Sequence, residues 1–318
     1  MSVNGPHIDT VRELRDLLGA DIARTPVVRC AGIEDALADG TTVHGKLEFL
    51  QRTGTFKARG ALAVLTSLSR EQRAAGVTAF SAGNHAIATA FAAGVTGANA
   101  KVVMIATANP LRVAACEAFG AEVVMADDAH VAFEVAEDIQ KSEGRFFVHP
   151  FEGPEIAAGT GTVGLELCEQ CDEFDVLIVP VGGGGLIAGI ANVDCEIIGI
   201  EPEGAKSMHL SFASGRPEPI DKVRTIADSL GAPFALPYSF ELCRQNVDSL
   251  ALVDDDMLRR AMGFLYSHMQ IAVEPACAAT TAALLGPLRE KLSGRRVALT
   301  FCGSNIDWAT WRSQAILE

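Results

Sequence analysis

Val176-Leu-Ile-Val-Pro-Val-Gly-Gly-Gly-Gly-Leu-Ile-Ala-Gly-Ile190 is an unbroken apolar run, then four glycines, then the opening of a helix expected through Leu186 to Ala191. An apolar run this short, bounded by glycine, reads as a strand buried on both faces. The same grammar recurs outward from it. Val77 to Phe80 precedes a helix that starts near Asn84, and Val102 to Ile105 precedes one across Arg112 to Phe119, which Gly120 can terminate. Further strands are expected at Glu122 to Met125, Phe146 to His149, Asp175 to Val181, Glu196 to Ile200 and Val297 to Phe301. Near the start, Thr10-Val-Arg-Glu13 has the form of a capping box, ahead of the helical spacing Val11, Leu14, Leu17, Leu18. Strands alternating with helices predict an α/β fold: two domains with parallel-rich twisted sheets flanked by helices.

Bulk properties narrow the function. The chain has 318 residues, of which 49% are hydrophobic and 6% aromatic, ample for a buried core and suited to tightly packed parallel strands. A formal charge of -14 disfavours nucleic acid and anionic lipid, whose binding depends on Lys and Arg. No apolar stretch approaches the roughly 20 residues of a membrane span, and no secretion signal opens the sequence. A cytoplasmic enzyme with no nucleic-acid or membrane partner is expected. The eight cysteines then read as reduced thiols, with Cys168 and Cys171 two cysteines at helical spacing rather than a zinc site.

Ligands in open α/β sheets sit at the carboxyl ends of strands, where the chemistry-bearing motifs of this chain fall. Gly182 to Gly185 allow a phosphate close to the backbone, with N–H groups and a helix dipole to attract it. The same loop also fits a dinucleotide fingerprint, Gly183-x-Gly185-x-x-Ala188, with Glu201 as the ribose acid. Lys57 follows Thr53-Gly-Thr-Phe and begins the helical run Ala58 to Leu68, where the helix dipole and Arg59 are expected to lower its pKa. The alternative is a solvated basic segment shared with Lys46, Arg52 and Arg59. Ser81-Ala-Gly-Asn-His85 opens another helix, either as a carboxylate receptor or as an ordinary N-cap, with His85 and His149 weak proton-transfer candidates. Cys302 sits at a strand end.

A lysine able to form a Schiff base and a backbone cradle for a phosphate are the two handles by which a protein holds pyridoxal phosphate. These motifs together resemble the fold-type II pyridoxal-phosphate enzymes (tryptophan synthase β-like), in the serine/threonine dehydratase and serine racemase branch. The resemblance runs over nearly the whole chain. It includes Thr55-Phe-Lys-Ala-Arg-Gly-Ala61, Ser81-Ala-Gly-Asn-His85, His149-Pro-Phe151, Ala158-Gly-Thr-Gly-Thr162, Gly182 to Ile190, Glu201-Pro-Glu-Gly-Ala205, Thr225-Ile-Ala-Asp228, Val273-Glu-Pro-Ala276 and Cys302-Gly-Ser-Asn305.

The resemblance implies that Lys57 carries the cofactor, Phe56 packs beside its ring, and Asn84 bonds the ring hydroxyl. Gly182, Gly183, Gly184, Gly185 and the Leu186 N–H would bind the phosphate, and Cys302 would face the pyridine nitrogen. Ser81, Ala82, Gly83, Asn84 and His85 would receive the carboxylate of a small amino acid. The implied reaction is β-elimination of water from L-threonine or L-serine to a 2-oxo acid and ammonia. Serine racemisation and L-threo-3-hydroxyaspartate dehydration are alternatives, and a nicotinamide-dependent dehydrogenase is the reading from a different class. Ala82 stands where racemases of the family carry a second serine, which ranks elimination first. A divalent or monovalent cation at Glu201 and Ala205 is weakened by Ser207, where the family has an acid. The family further implies a smaller domain at 65–148 inserted in a larger one (1–64 and 149–318), and a homodimer. The last motif lies near the end of the sequence, so a feedback-regulatory domain after it is not expected, and a catabolic role is.

Overall fold

The computed structural model describes residues 3–81, 83–171, 173–190 and 193–317. Among them ten strands form two sheets. The larger contains β1 (Val27–Arg29), β2 (Thr42–Leu47), β7 (Val176–Pro180), β8 (Glu196–Pro202), β9 (Ser249–Val253) and β10 (Arg296–Phe301), in the order β1-β2-β10-β7-β8-β9. Only the β1–β2 pairing is antiparallel. The smaller sheet contains β3 (Val77–Phe80), β4 (Ala100–Ile105), β5 (Glu122–Ala126) and β6 (Phe146–Phe147), in the order β5-β4-β3-β6 and wholly parallel. Parallel sheets need crossover connections, so helices cover the faces of both.

The apolar runs explain the burial. β7 is buried at every position, and it packs in a core that includes Ile198 and Ile200 of β8, Leu299 of β10 and the helix Pro275–Leu285. One face of the smaller sheet packs on the alanine-rich helices Lys57–Ser67 and Asn84–Thr96, the other on the helix Ala129–Glu143. Alanine all round keeps helix Asn84–Thr96 thin enough to be buried from Asn84 through Ala93. The helix Pro154–Gln170 approaches Lys57–Ser67 closely at Gly159, where a Cβ would stand 2.6 Å from the Arg59 carbonyl oxygen.

Several expectations shift. The first helix is Ile8–Leu18, capped by the His7 ring, which accepts the Asp9 N–H at 3.3 Å; Thr10 lies inside it and forms no capping box. The helix after the glycines is described over Gly185–Ile190, one residue ahead of the expected Leu186, and the expected end at Ala191 lies outside the described residues. β1 and β2 are strands that no long apolar run announces, and β9 is a further strand, on the apolar run Leu250-Ala-Leu-Val253. Among the described residues no helix is long and apolar enough to cross a membrane.

The registers bring the motifs to one edge. Phe301 pairs with Leu47 and Leu299 with Ile178, so the carboxyl ends of β2, β10 and β7 lie side by side. Beyond them follow Lys57, Cys302 and the glycines.

Candidate active site

One narrow cleft is lined by Phe56, Lys57, Asn84, Gly182 to Leu186, Glu274 and Cys302. It joins, through Lys57, Asn84, Phe151, Gly183 and Ser229, a wider cavity of about 520 Å³ that also takes in Ser81, Gly83 and His85. Residues from both sheets line it, as expected for ligand crevices of this fold class.

Lys57 is the first residue of its helix, following Phe56, and its Nζ lies 5.2 Å from the Phe56 ring centre. The amine donates to the Pro150 carbonyl at 2.6 Å. Burial lowers its pKa to about 8, while Cys302 and Glu274 pull it back up. The cause differs from the expected one: Arg59 is fully buried and neutralised by Glu48 (2.8 Å) and Glu166 (2.7 Å), and desolvation does the work. Lys46 is also fully buried, 2.6 Å from Glu166, so neither it nor Arg59 belongs to a solvated basic segment.

The glycine loop wraps Phe151. A Cβ on Gly183 would enter the Phe151 ring, and one on Gly185 would lie 2.7 Å from the Phe151 carbonyl oxygen. Only glycine fits here, and the N–H groups of Gly185 and Leu186, in the first turn of their helix, face no intrahelical acceptor.

Asn84 heads the helix Asn84–Thr96. Its Nδ2 donates to Glu274 at 2.8 and 3.1 Å, and its Oδ1 accepts from Asn305 Nδ2 at 2.8 Å. Ser81 Oγ accepts the Gly83 N–H at 3.1 Å; Ala82 lies outside the described residues. His85 Nε2 meets the Val148 carbonyl at 2.8 Å, and burial lowers its pKa to about 3, so the ring is a neutral structural group. His149 is lowered to about 4, again by burial first and by Lys57 second, while its Nδ1 accepts the N–H groups of Phe151 and Glu152. The Cys302 thiol is pushed well above its ordinary pKa by contact with Cys277 and by burial, and stays protonated.

The profile of pyridoxal-phosphate dependent enzymes matches residues 19–303. The chain belongs to the pyridoxal-phosphate dependent enzyme family. The phenylserine dehydratase of Ralstonia pickettii is 49% identical over 96% of this chain and 95% of its own length. The L-threonine ammonia-lyase of Thermotoga maritima is 35% identical over 94% of this chain and 76% of its own. The structure of maize serine racemase superposes with a TM-score of 0.91 at 32% identity, covering 98% of this chain and 97% of that one. With curated relatives named as dehydratases and ammonia-lyases, this family member is a pyridoxal-phosphate-dependent lyase.

The residues present fit the family's cofactor. A desolvated primary amine, a glycine loop that admits no Cβ at Gly183 or Gly185, and a neutral thiol converge on one cleft. The dinucleotide alternative fails on its acid: Glu201 is fully buried, lines neither cavity, and has its two oxygens held by main-chain N–H groups, from Met208 at 2.9 Å and His209 at 2.7 Å. Burial raises the Glu201 pKa to about 8, and Ala205 ends the adjoining turn Glu203–Ala205. Among the described residues no cluster of three His, Cys, Asp or Glu is arranged to hold a metal, and Cys168 and Cys171, both outside any disulfide, lie in the last turn and at the C-cap of the helix Pro154–Gln170.

Sequence reasoning gave no role to Glu274, Arg112, Asp228, Ser229, Phe133 or Phe234, all of which line the two cavities. Glu274 and Asp228 lie in motifs already quoted, and an acid set in the apolar stretch Val273 to Ala276 was a usable signal.

Proposed function

We propose that this chain eliminates water from a β-hydroxy amino acid bearing an aromatic β-substituent, with L-threo-3-phenylserine as the type substrate, and releases a 2-oxo acid and ammonia. The observation that carries the reading is the wall of the wider cavity beside Lys57, lined by Phe80, Phe133, Phe147, Phe151 and Phe234. Burying a phenyl ring there contributes about 2 kcal/mol more than burying the methyl of threonine, with edge-to-face ring contacts adding to it. The similarity to a protein named phenylserine dehydratase supports the same choice.

L-Threonine and L-serine, expected from sequence, suit the same lysine and turn and rank second because they leave the aromatic wall wet. L-threo-3-Hydroxyaspartate ranks lower. Its second carboxylate needs a cation, and Arg112 is already paired with Asp228.

Pyridoxal phosphate, when bound, withdraws electrons from the α-carbon of an amino acid joined to its aldehyde carbon. On this reading Phe56 flanks the cofactor, Asn84 meets its hydroxyl, and Gly182 to Leu186 hold its phosphate. Ser81, Gly83, Asn84 and His85 orient the substrate carboxylate at the head of helix Asn84–Thr96, where first-turn N–H groups are free. The Lys57 amine takes the α-proton, helped by a pKa already brought to about 8. The β-hydroxyl leaves as water, and the released enamine hydrolyses. Cys302, a neutral thiol, leaves the pyridine nitrogen unprotonated, which favours prompt departure of the β-substituent. Ala82, in the sequence position where racemases of the family carry a serine, has no exchangeable side-chain proton, so elimination outranks racemisation. The same reading takes residues 65–148 as the smaller domain and 1–64 with 149–318 as the larger, in a cytoplasmic homodimer.

Ammonia release from a panel of L-threo-3-phenylserine, L-threonine, L-serine and L-threo-3-hydroxyaspartate tests it. The expected kcat/KM for phenylserine exceeds that for threonine at least about tenfold. Equal or better turnover of threonine overturns the choice of an aryl substrate.

A further inference from the structure

Asn84 is held in one orientation by a chain of hydrogen bonds that begins away from the cofactor cleft. Asn305 Nδ2 donates to the Thr53 carbonyl and to Asn84 Oδ1, both at 2.8 Å. The backbone carbonyl can only accept, so Asn305 must present its NH2 group, and Asn84 must answer with its oxygen. The Asn84 NH2 group therefore points the other way, toward Ser229 Oγ at 3.1 Å and the two oxygens of Glu274. Glu274 is a buried carboxylate, 1% exposed, inside the same cleft as Lys57. A buried carboxylate with no donor would take up a proton; this one meets the Asn84 amide on both oxygens, and the Arg112 guanidinium stands 3.5 Å away. Arg112 in turn reaches Asp228 and donates to the Asn305 carbonyl at 3.0 Å, which closes the network on itself.

We propose that Glu274 is a positioning residue of the active site: its carboxylate fixes the Asn84 amide in the cleft and places a negative charge in the same cleft as Lys57. The titratable groups that face it are Lys57, Arg112, Asp228 and the thiol Cys302. Burial first, with Asp228 adding to it, leaves the Glu274 carboxyl above its ordinary value against the pull of Arg112 and Asn84, while Glu274 itself holds the Lys57 value up. With a neutral thiol at Cys302, Glu274 is the one carboxylate among the described residues that line the narrow cleft with Lys57. The inference rests on the pyridoxal-phosphate site, and not on which hydroxy amino acid enters it.

The test compares Glu274→Gln and Glu274→Asp with the parent, as holoenzymes and without substrate. Two quantities are read: the pH at which the cofactor linked to Lys57 changes its visible absorbance, and the affinity for pyridoxal phosphate. Glu274→Gln keeps the shape and one acceptor but removes the charge, so the absorbance midpoint is expected to fall by about one unit. Glu274→Asp keeps the charge, so its midpoint stays with the parent while retracting the carboxylate from Asn84 weakens cofactor affinity several-fold. A midpoint that moves in neither variant, or equally in both, overturns the proposal. Should Glu274→Gln fail to fold, Glu274→Ala takes its place with the same expected fall in midpoint, and a midpoint that stays with the parent overturns the proposal equally. None of these readings involves turnover, so an error in the substrate assignment leaves them unaffected.

Discussion

The Lys57 ammonium donates a 2.6 Å hydrogen bond to the carbonyl oxygen of Pro150, 93 residues further along the chain. Lys57 belongs to the helix that leads away from the larger sheet, and Pro150 to the segment that returns from the smaller one. The amine is thus presented from one lip of the cleft and steadied by the other. Releasing that bond to react with an aldehyde costs about 1 kcal/mol, which is small beside the gain from an amine that loses its proton easily.

Capture of pyridoxal phosphate by the cofactor-free protein is expected to accelerate with pH and level off around a midpoint of about 8, because the amine and not the ammonium reacts. Stopped-flow absorbance across that range measures it, and Lys57→Ala should show no covalent capture and no 2-oxo acid formation. A midpoint at the ordinary lysine value of about 10.5 would mean that the amine is solvated.

Phe133 and Phe234 are 46% and 41% exposed at the mouth of the aromatic cavity, the first on the helix Ala129–Glu143 and the second ahead of the helix Pro237–Asn246. Phe133→Ala or Phe234→Ala is expected to raise KM for 3-phenylserine about tenfold, at roughly 1.4 kcal/mol each. The same variants should leave threonine kinetics within a factor of about two. Equal losses on both substrates would show that the rings hold the fold and not the ligand.

Arg59 is enclosed with Glu48, Glu166 and Lys46, four charges that balance and are at most 2% exposed. Removing one partner leaves an uncompensated buried charge, so Arg59→Met should destabilise the protein by about 3–5 kcal/mol. Urea unfolding measures it; a loss below about 1 kcal/mol would place the cluster in contact with water.

His85 and His149 are neutral in the fold, with pKa values lowered to about 3 and about 4. The unfolded chain takes up their protons near the ordinary value of about 6.5. Unfolding therefore gains protons as pH drops below that value, and stability falls from there down to about pH 4, where His149 also titrates in the fold. The urea midpoint should be lower at pH 5 than at pH 7.5, and the pH profile of kcat/KM should show no histidine step near pH 6.5. An unchanged urea midpoint would contradict the burial of both rings.

What was legible in the sequence was whatever is local. β7, the glycines and the following helix are contiguous, and so are Phe56 with Lys57 and Ser81 with Asn84, so spacing alone exposes them. β2 escaped because Thr42-Val-His-Gly-Lys-Leu47 has no apolar run; Lys46 is buried there only because Glu166, from a distant helix, neutralises it. The lowered Lys57 pKa was anticipated, but its cause was misplaced, since the partners that silence Arg59 lie 11 and 107 residues away. Phe133 reads as one more apolar residue on an exposed helix, and only the second sheet set opposite Phe234 makes it a wall.

The register of β10 against β2 carries a further consequence. Arg296 to Phe301 pair with Thr42 to Leu47, inserting the last strand made between the second and the seventh. The smaller sheet is assembled entirely from residues 77–147 and has all its strands early in synthesis. The larger sheet stays divided until β10 has emerged from the ribosome, because β2 and β7 touch only through it. Cys302 and Asn305 arrive later still. The vitamin-derived cofactor therefore meets a finished pocket only after Asn305 has been translated, and a nascent chain stalled before β10 would have an amine not yet aligned with its glycine cradle.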